Sequence, residues 1–316
     1  MTIFASLFLN NAFNVVILLV SIVLLWKGAD LLVESASRVA EKFGVSDLVI
    51  GLTVVAFGTS APEFAVTINA ALKGQADISV GNIVGSNIFN LGFILGTVAV
   101  IKSIESSRKL VYRDGTFMIL ITFLLLYFFY DLKLSRFEGI FLMTLMVSYL
   151  IYLFRHKEEF GESEIIHETA TWRDALLLPL SIFTVVAGGH LLVESAGFLA
   201  RGMGVSEWVI GVTIVAAGTS APEMATSIAA VLKGKHGMSA GNLIGSDIFN
   251  ILGVLGLAGA ITPMQINPSA YGSLLMLCGM VILVVMFLRT GWKISRTEGL
   301  ILLFIGIARW VLDFMK

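Results

Sequence analysis

The chain contains one apolar segment twice, at a shift of 160 residues, and each copy carries a carboxylate. Gly51–Leu72 reads GLTVVAFGTSAPEFAVTINAAL and Gly211–Leu232 reads GVTIVAAGTSAPEMATSIAAVL, so 14 of the 22 positions are identical. Glu63 and Glu223 each follow directly on a Gly-Thr-Ser-Ala-Pro break. Because an ionisable group within a hydrophobic span is costly, it usually marks an ion or substrate pathway. The duplication therefore predicts two half-sites that meet in one protein.

The composition is that of an integral membrane protein in a lipid bilayer. Hydrophobic residues make up 57% of the 316 residues and charged residues only 14%, whereas soluble domains carry about 25% charged residues. The net charge of −1 and the scattered basic residues give no indication of a nucleic-acid partner. Cys278 is the single cysteine, which excludes an internal disulfide and a thiolate metal cluster.

Ten stretches approach the length of about 20 mostly apolar residues that a membrane helix needs. In chain order, spans 1 to 10 are predicted at 13–36, 46–71, 78–101, 112–131, 136–154, 174–199, 206–231, 238–260, 269–288 and 297–314. The longest polar stretch, Arg155–Arg173, separates five spans from five and is typical of a solvated linker. We therefore divide the chain into a first five-helix repeat at 1–154, a linker at 155–173 and a second repeat at 174–316.

The distribution of lysine and arginine predicts the orientation in the membrane. The loops after the odd-numbered spans hold 14 basic residues, and the opposite side holds 5. Since basic residues are enriched in cytoplasmic loops, we expect the linker in the cytoplasm and both termini outside the cell. Five spans per half is an odd number, so the second half enters the membrane upside down. Such inverted-topology repeats typically place a substrate site near the midplane, where broken helices meet.

The repeated break supplies oxygen atoms for a cation. Proline lacks an N–H and clashes with the carbonyl four residues earlier, so carbonyls near Ala56–Thr59 and Ala216–Thr219 are expected to lose their partners. Within lipid these carbonyls need another partner, and a bound cation would provide one. A simple proline kink is the alternative for a single copy, but two copies with a following glutamate favour the cation. Hydroxyls in the breaks add further oxygens: Thr59, Ser60, Thr219 and Ser220.

A second repeated motif keeps the same shift, as GNIVGSNIFN at Gly81–Asn90 and GNLIGSDIFN at Gly241–Asn250. Its small residues permit close helix approach, and for its four glycines we favour a packing role. The first asparagine of each copy, Asn82 or Asn242, either binds the ion or bridges helices. Side-chain oxygens suited to hard cations occur in both copies: Asn90, Asn250, Ser86 and Ser246.

The candidate ligands are all oxygens and include no thiolate or imidazole. Such ligands suit Ca²⁺, Na⁺, Mg²⁺ or Mn²⁺, while zinc and copper prefer nitrogen and sulfur. Flexible backbone and side-chain oxygens favour Ca²⁺, which accepts about 6–8 ligands in loose geometry. Two glutamates neutralise one divalent ion, and the same oxygens could instead hold Na⁺ ions one at a time. Because one set of oxygens cannot easily bind Ca²⁺ and Na⁺ at the same time, the two ions compete for it, and this competition is the physical basis of exchange.

GTSAPE followed by GNIVGSNIFN, with its inverted partner, resembles the α-repeats of the cation/calcium exchanger superfamily, in particular prokaryotic Na⁺/Ca²⁺ exchangers. The resemblance covers all ten spans. It implies an all-α polytopic membrane protein of ten transmembrane helices, with broken helices in spans 2, 3, 7 and 8 forming the ion-binding core. It also implies that spans 1 and 6 slide across this core to alternate access, and that several Na⁺ ions enter for each Ca²⁺ extruded.

The resemblance also implies a ligand set. Glu63 and Glu223 match the central Ca²⁺ carboxylates, which also serve Na⁺. Asn250 departs from relatives that carry an aspartate tied to K⁺, which argues against K⁺ co-transport. Asp247 departs as well, because Asn87 is its equivalent in the first half, and it either adds charge beside the site or faces a helix interface. The other matches are hydroxyl, carbonyl and amide contributors: Ser60, Ser220, Thr59, Thr219, Ala56, Ala216, Ser86, Ser246 and Asn90.

Together these features predict an antiporter of the cell membrane that exchanges Na⁺ for Ca²⁺, with no enzyme activity and no cofactor. A Ca²⁺/H⁺ antiporter of the same superfamily stays open, because the glutamates could carry protons instead of yielding to Na⁺. A passive cation channel is an alternative from a different class, since inverted repeats with interrupted helices also occur in channels. Nothing in the sequence requires an oligomer.

Overall fold

The computed structural model describes residues 2–156, 172–205, 210, 214 and 216–314, and it is almost entirely helical. The first half contains α1 (Thr2–Phe43), α2 (Asp47–Ile50), α3 (Ala56–Thr59), α4 (Ala61–Leu72), α5 (Ala76–Phe89), α6 (Leu95–Ile101), α7 (Thr116–Phe128) and α8 (Arg136–Arg155). The second half contains α9 (Trp172–Gly202), α10 (Ala216–Thr219), α11 (Ala221–Leu232), α12 (His236–Phe249), α13 (Gly256–Ile261), α14 (Ser269–Arg289) and α15 (Arg296–Phe314). Most of the predicted linker lies outside the described residues.

Short irregular elements join these helices. Turns of π-helix occur at Gly51–Val55, Asn90–Ile94, Leu110–Gly115 and Asn250–Leu255, and 3₁₀ turns at Phe129–Asp131 and Thr290–Trp292. Four two-residue strands also lie between the helices: β1 (Ile104–Glu105), β2 (Lys133–Leu134), β3 (Met264–Gln265) and β4 (Lys293–Ile294). β1 pairs antiparallel with β4, and β2 with β3. Each pair joins the two halves, and the pairs are equivalent under the 160-residue shift.

Seven described helical segments are long and apolar enough to cross a membrane: Asn11–Phe43, Ala76–Ile101, Leu110–Asp131, Arg136–Arg155, Trp172–Gly202, His236–Ile261 and Ala270–Trp292. The segments Asp47–Thr59 and Ala61–Leu72 pass the same test together and are bent by 52° at the break between them, so they add an eighth span if the pair is counted as one. Span 7 is described only in part and ends with the shorter apolar α11, and span 10 is α15. The prediction of an all-α polytopic membrane protein is confirmed, with helix in the described part of every predicted span.

Glycines of the second motif let α12 approach the first part of span 2. A Cβ atom built on Gly241 would lie 2.7 Å from the Leu48 carbonyl oxygen, and one on Gly245 would lie 2.6 Å from Leu52 Cα. Only residues without a side chain permit this approach, so the predicted packing role is confirmed for these two glycines. For the equivalent glycines of the first half, the facing positions fall outside the described residues, and the packing role stays a prediction.

Candidate cation-binding site

The break in span 2 puts a carboxylate in the first turn of a buried helix. Ser60 has φ −78° and ψ 10°, which ends α3, and α4 begins at Ala61. Pro62 is tolerated at this start because its missing N–H would have no intrahelical partner there. Glu63 follows in the same turn, where the helix dipole stabilises a negative charge. Ser220, with φ −90° and ψ 8°, repeats this geometry in the second half.

The two glutamates are buried, and each accepts a hydrogen bond from a serine of the other half. Glu63 and Glu223 are 1% and 0% exposed. Ser220 Oγ donates to Glu63 Oε1 at 2.9 Å, and Ser60 Oγ donates to Glu223 Oε1 at 3.0 Å. Ser246 Oγ lies 3.5 Å from the same Glu223 oxygen. Because each glutamate is bonded to the serine of the other half, both carboxylates lie in one polar cluster between the two breaks.

The second carboxylate oxygen of each glutamate makes no hydrogen bond within the described residues. Glu63 Oε2 and Glu223 Oε2 are buried and have no hydrogen-bond partner among the described residues. Burying a charged group without a partner is costly. Two carboxylates buried close together also repel each other. Two unpaired carboxylate oxygens in one buried cluster therefore have the charge and the free lone pairs that a cation requires.

A second group of polar residues, which we call the amide cluster, comprises Asn87, Asn90, Asp247 and Asn250. Asn90 Nδ2 donates to Asp247 Oδ1 at 3.0 Å, and Asn250 Nδ2 donates to Asn87 Oδ1 at 3.0 Å. Asn87 Nδ2 also donates to the main-chain carbonyl of Asp247 at 3.1 Å. These bonds join α12 to the end of α5, so Asp247 lies at an interface between helices of the two halves. Its contribution of charge to the site stays a prediction.

The amide cluster also presents unpaired oxygens. Asn90 Oδ1, Asn250 Oδ1 and Asp247 Oδ2 are buried, and the described part of the chain gives none of them a hydrogen-bond donor. Ser246, which contacts Glu223, directly precedes Asp247 and connects the two clusters. Carboxylate and amide oxygens are the ligands of hard cations such as Ca²⁺. Together the two clusters offer such a cation more than one binding position.

Comparison with known proteins agrees with this geometry. A family model described as sodium/calcium exchanger protein matches residues 13–155 and 174–308.

The chain belongs to the sodium/calcium exchanger protein family. It is similar to the putative antiporter CaxA of Alkalimonas amylolytica, with 39% identity covering 92% of this chain and 96% of CaxA. It is also similar to the sodium/calcium exchanger MaX1 of Methanosarcina acetivorans, with 33% identity covering 95% and 98% of the two chains. Among solved structures, the sodium-calcium exchanger NCX_Mj superposes with a TM-score of 0.85 and 31% identity, over 94% of this chain and 98% of that one.

Membership of this family makes the chain a multi-pass membrane transporter rather than an enzyme. The remaining predicted ligands of this exchanger-family chain lie on the same broken helices. Thr219 and Ser86 are buried, and Ala216 begins α10. Their roles as ligands stay predictions.

The prediction that the break frees the Ala56 carbonyl is wrong. The Ser60 N–H donates to this carbonyl at 3.0 Å, and Thr59 Oγ1 donates to it at 3.3 Å. In an unbroken helix the N–H of residue 62 would reach the carbonyl of Gly58, four residues earlier, and Pro62 lacks this N–H. The hydrogen bond that proline removes is therefore the one to Gly58, two residues after Ala56.

Asn82 and Asn242 bridge helices, which is one of their two predicted roles. Asn82 Nδ2 donates to the main-chain carbonyl of Glu63 at 3.3 Å and to Thr67 Oγ1 at 2.9 Å. Asn242 Nδ2 makes the equivalent bonds, to the carbonyl of the second glutamate at 3.3 Å and to Ser227 Oγ at 3.0 Å. Each asparagine thereby fixes the helix that carries the glutamate against its neighbour.

Asn87 is a site residue that the sequence did not single out. It hydrogen-bonds Asn250 through Oδ1 and the Asp247 carbonyl through Nδ2. The available signal is the repeat, because Asn87 is the equivalent of Asp247 and lies in the same motif as the predicted ligands Ser86 and Asn90.

Replacing Asn242 with alanine should lower the melting temperature more than Asn82→Ala does. Asn242 is fully buried, whereas Asn82 is half-buried, and Asn242 Oδ1 also accepts a hydrogen bond from Thr59 Oγ1 at 3.1 Å. Leaving a buried polar group unsatisfied costs about 1–3 kcal/mol. Thermal unfolding of the two purified variants in detergent measures the difference, and equal shifts would contradict the assigned role of Asn242.

Proposed function

We propose that the chain is a secondary antiporter that exchanges Na⁺ for Ca²⁺ across the cell membrane by alternating access. The observation that carries the proposal is the pair of buried glutamates whose Oε2 atoms have no partner within the described residues. Two carboxylates balance one divalent cation, and oxygen ligands suit both Ca²⁺ and Na⁺. The relatives MaX1 and NCX_Mj are themselves sodium/calcium exchangers by name, which supports the same loads here.

In this proposal the glutamates bind either load, and the surrounding oxygens adapt to it. Glu63 Oε2 and Glu223 Oε2 are the primary Ca²⁺ ligands. Oxygens nearer the amide cluster serve Na⁺. The proposed ligand set adds Ser60, Ser220, Thr59, Thr219, Asn90, Asn250, Ser86, Ser246, Ala216 and Asp247.

The burial of the site supports alternating access over a continuously open pore. Neither glutamate is exposed. A cavity of about 550 Å³ between α1, α9 and α11 is lined by apolar residues together with Asp30 and Lys233, and by no proposed ligand within the described ranges. We propose that an ion reaches the glutamates through a rearrangement of helices. An antiporter requires such a rearrangement in every cycle, whereas an open channel does not.

The contacts of α1 and α9 with the core differ, which supports two distinct access states. Lys233, at the end of α11, lies 2.6 Å from both Asp30 and Glu34 of α1. Burial lowers the pKa of Lys233, but its hydrogen bonds to these carboxylates raise it more, so the amine stays charged. The equivalent residues of α9, His190 and Glu194, lie 3.5 Å from each other along one helix. We propose that sliding of α1 breaks its ion pairs.

For the orientation, we propose that both termini are extracellular and that the linker at 155–173 is cytoplasmic, between repeats at 1–154 and 174–316. The excess of lysine and arginine in the loops after odd-numbered spans supports this arrangement.

An outward Na⁺ gradient should drive Ca²⁺ uptake into proteoliposomes while the pH gradient is collapsed. Both loads compete for the same buried oxygens, so Na⁺ leaving the vesicle must be coupled to Ca²⁺ entering it. Uptake of ⁴⁵Ca²⁺ is measured against two controls, protein-free vesicles and vesicles with an outward K⁺ gradient. Uptake that requires a pH gradient instead would establish Ca²⁺/H⁺ exchange, and single-channel currents in a planar bilayer would reject exchange altogether.

A further inference from the structure

The cross-half hydrogen bonds of the site occur in equivalent pairs. The two serine-to-glutamate bonds measure 3.0 and 2.9 Å, and the two asparagine bonds of the amide cluster both measure 3.0 Å. Within the amide cluster, Asn90 and Asn250 are chemically identical equivalents. Asp247 and Asn87 are equivalents that differ, since one is a carboxylate and the other an amide.

An asparagine would satisfy the packing at position 247 better than an ionised aspartate does. Asn87 uses both ends of its amide, because Oδ1 accepts from Asn250 and Nδ2 donates to the Asp247 carbonyl. By the repeat, an amide at 247 would accept from Asn90 and donate to the Asn87 carbonyl. Aspartate keeps the first of these bonds, at 3.0 Å. When it is ionised it loses the second, because an ionised carboxylate has no proton to donate.

The second oxygen of Asp247 is therefore left without a protein partner. Asp247 is 1% exposed, and no described residue donates to its Oδ2. A carboxylate in this position is costly, and the nearby glutamates make it more so. Helix packing accounts for a protonated aspartate here, whereas an ionised one needs a positive charge beside Oδ2.

We propose that Asp247 is a third carboxylate of the site and binds a Na⁺ ion together with the unpaired amide oxygens of Asn90 and Asn250. The proposal rests on the proposed exchange function and adds the place where the two loads are distinguished. Glu63 and Glu223 already balance the charge of one Ca²⁺ ion. Asp247 supplies the additional negative charge that a set of Na⁺ ions requires, so its loss should affect Na⁺ far more than Ca²⁺.

The variant Asp247→Asn tests this directly, because it copies the bonding of Asn87 and is expected to fold. Proteoliposomes are assayed for Ca²⁺/Ca²⁺ exchange without Na⁺ and for Ca²⁺ uptake at a series of internal Na⁺ concentrations. We expect Na⁺-driven uptake to fall far more than Ca²⁺/Ca²⁺ exchange. The Na⁺ concentration for half-maximal uptake should rise by about tenfold or more, as expected for losing an interaction with a charged group, with a lower Hill coefficient for Na⁺.

A double variant provides the matched control. Asn87→Asp combined with Asp247→Asn moves the carboxylate to the equivalent position of the first half and keeps the total charge. It should recover most of the Na⁺ dependence that the single variant loses. Unchanged Na⁺ dependence in Asp247→Asn would overturn the proposal, as would an equal loss of Ca²⁺/Ca²⁺ exchange and Na⁺-driven uptake.

Binding of ²²Na⁺ to the purified proteins separates this inference from the proposed function. If the wild type shows no Na⁺-driven uptake, the proposed function fails. Weaker ²²Na⁺ binding by Asp247→Asn than by the wild type would still support the Na⁺ site. Equal binding by the two proteins would remove it even if Na⁺-driven exchange were established.

Discussion

Replacing Glu223 with glutamine should abolish calcium transport while leaving the helical fold intact. The amide keeps an oxygen that can accept the hydrogen bond from Ser60 Oγ, now 3.0 Å long, but the negative charge is lost from a fully buried position. An interaction with a charged group contributes about 1.5–3 kcal/mol, and Ca²⁺ affinity depends on the number of charged ligands. Because Glu63 has the equivalent bond from Ser220, Glu63→Gln should have the same effect.

Calcium uptake by proteoliposomes measures the effect, and size-exclusion chromatography with circular dichroism shows whether each variant is folded. Glu105→Gln is the control, since it removes an exposed carboxylate outside the site. Transport should fall by about 100-fold or more in the two site variants, which corresponds to the upper end of the interaction energy above. Normal transport by either one would show that the site has been assigned to the wrong residues.

Adding a single methyl group at Gly245 should strongly destabilise the protein. A Cβ atom there would lie 2.6 Å from Leu52 Cα, 2.7 Å from the Leu52 carbonyl oxygen and 2.9 Å from Ala56 Cβ. Two of these contacts are to main-chain atoms, which cannot move aside as a side-chain end can. Overpacking of this kind costs about 1–3 kcal/mol and occasionally more. Separation of the two helices would also displace the adjacent Ser246 from Glu223, so transport should fall as well.

Gly279→Ala is the matched control for Gly245→Ala. Gly279 lies within α14, and no atom of the described residues comes within 4 Å of a Cβ atom built on it. Alanine is favoured over glycine inside a helix by up to about 1 kcal/mol, so this variant should be as stable as the wild type or more so. Melting temperatures in detergent compare the two substitutions. A shift of the same size in both would mean that the close contact at Gly245 carries no stability.

The parts of the site that could be predicted are those with a local cause in the sequence. Apolar stretches located the helices, because each span must be apolar over its own length. Pro62 predicted the break at Ser60, since a missing N–H acts within a single turn. The burial of Glu63 followed from its place inside an apolar span.

The choice of partners could not be predicted, because it depends on how the two halves pack. Ser60 bonds to Glu223 and not to the glutamate three residues along its own chain. The π-helical turns that begin at Asn90 and Asn250 interrupt a sequence that is equally compatible with regular α-helix. Such turns are frequent at functional sites, and here each one begins at a member of the amide cluster.

The crossed serine bonds mean that neither half of the chain completes a site alone. Ser60 serves Glu223 and Ser220 serves Glu63, so a protein of half this length would need a second, oppositely inserted copy of itself. Such a homodimer would necessarily carry the same residue at both equivalent positions. Covalent fusion of the two copies removes that restriction, and a single acidic substitution such as Asp247 opposite Asn87 becomes possible only after it.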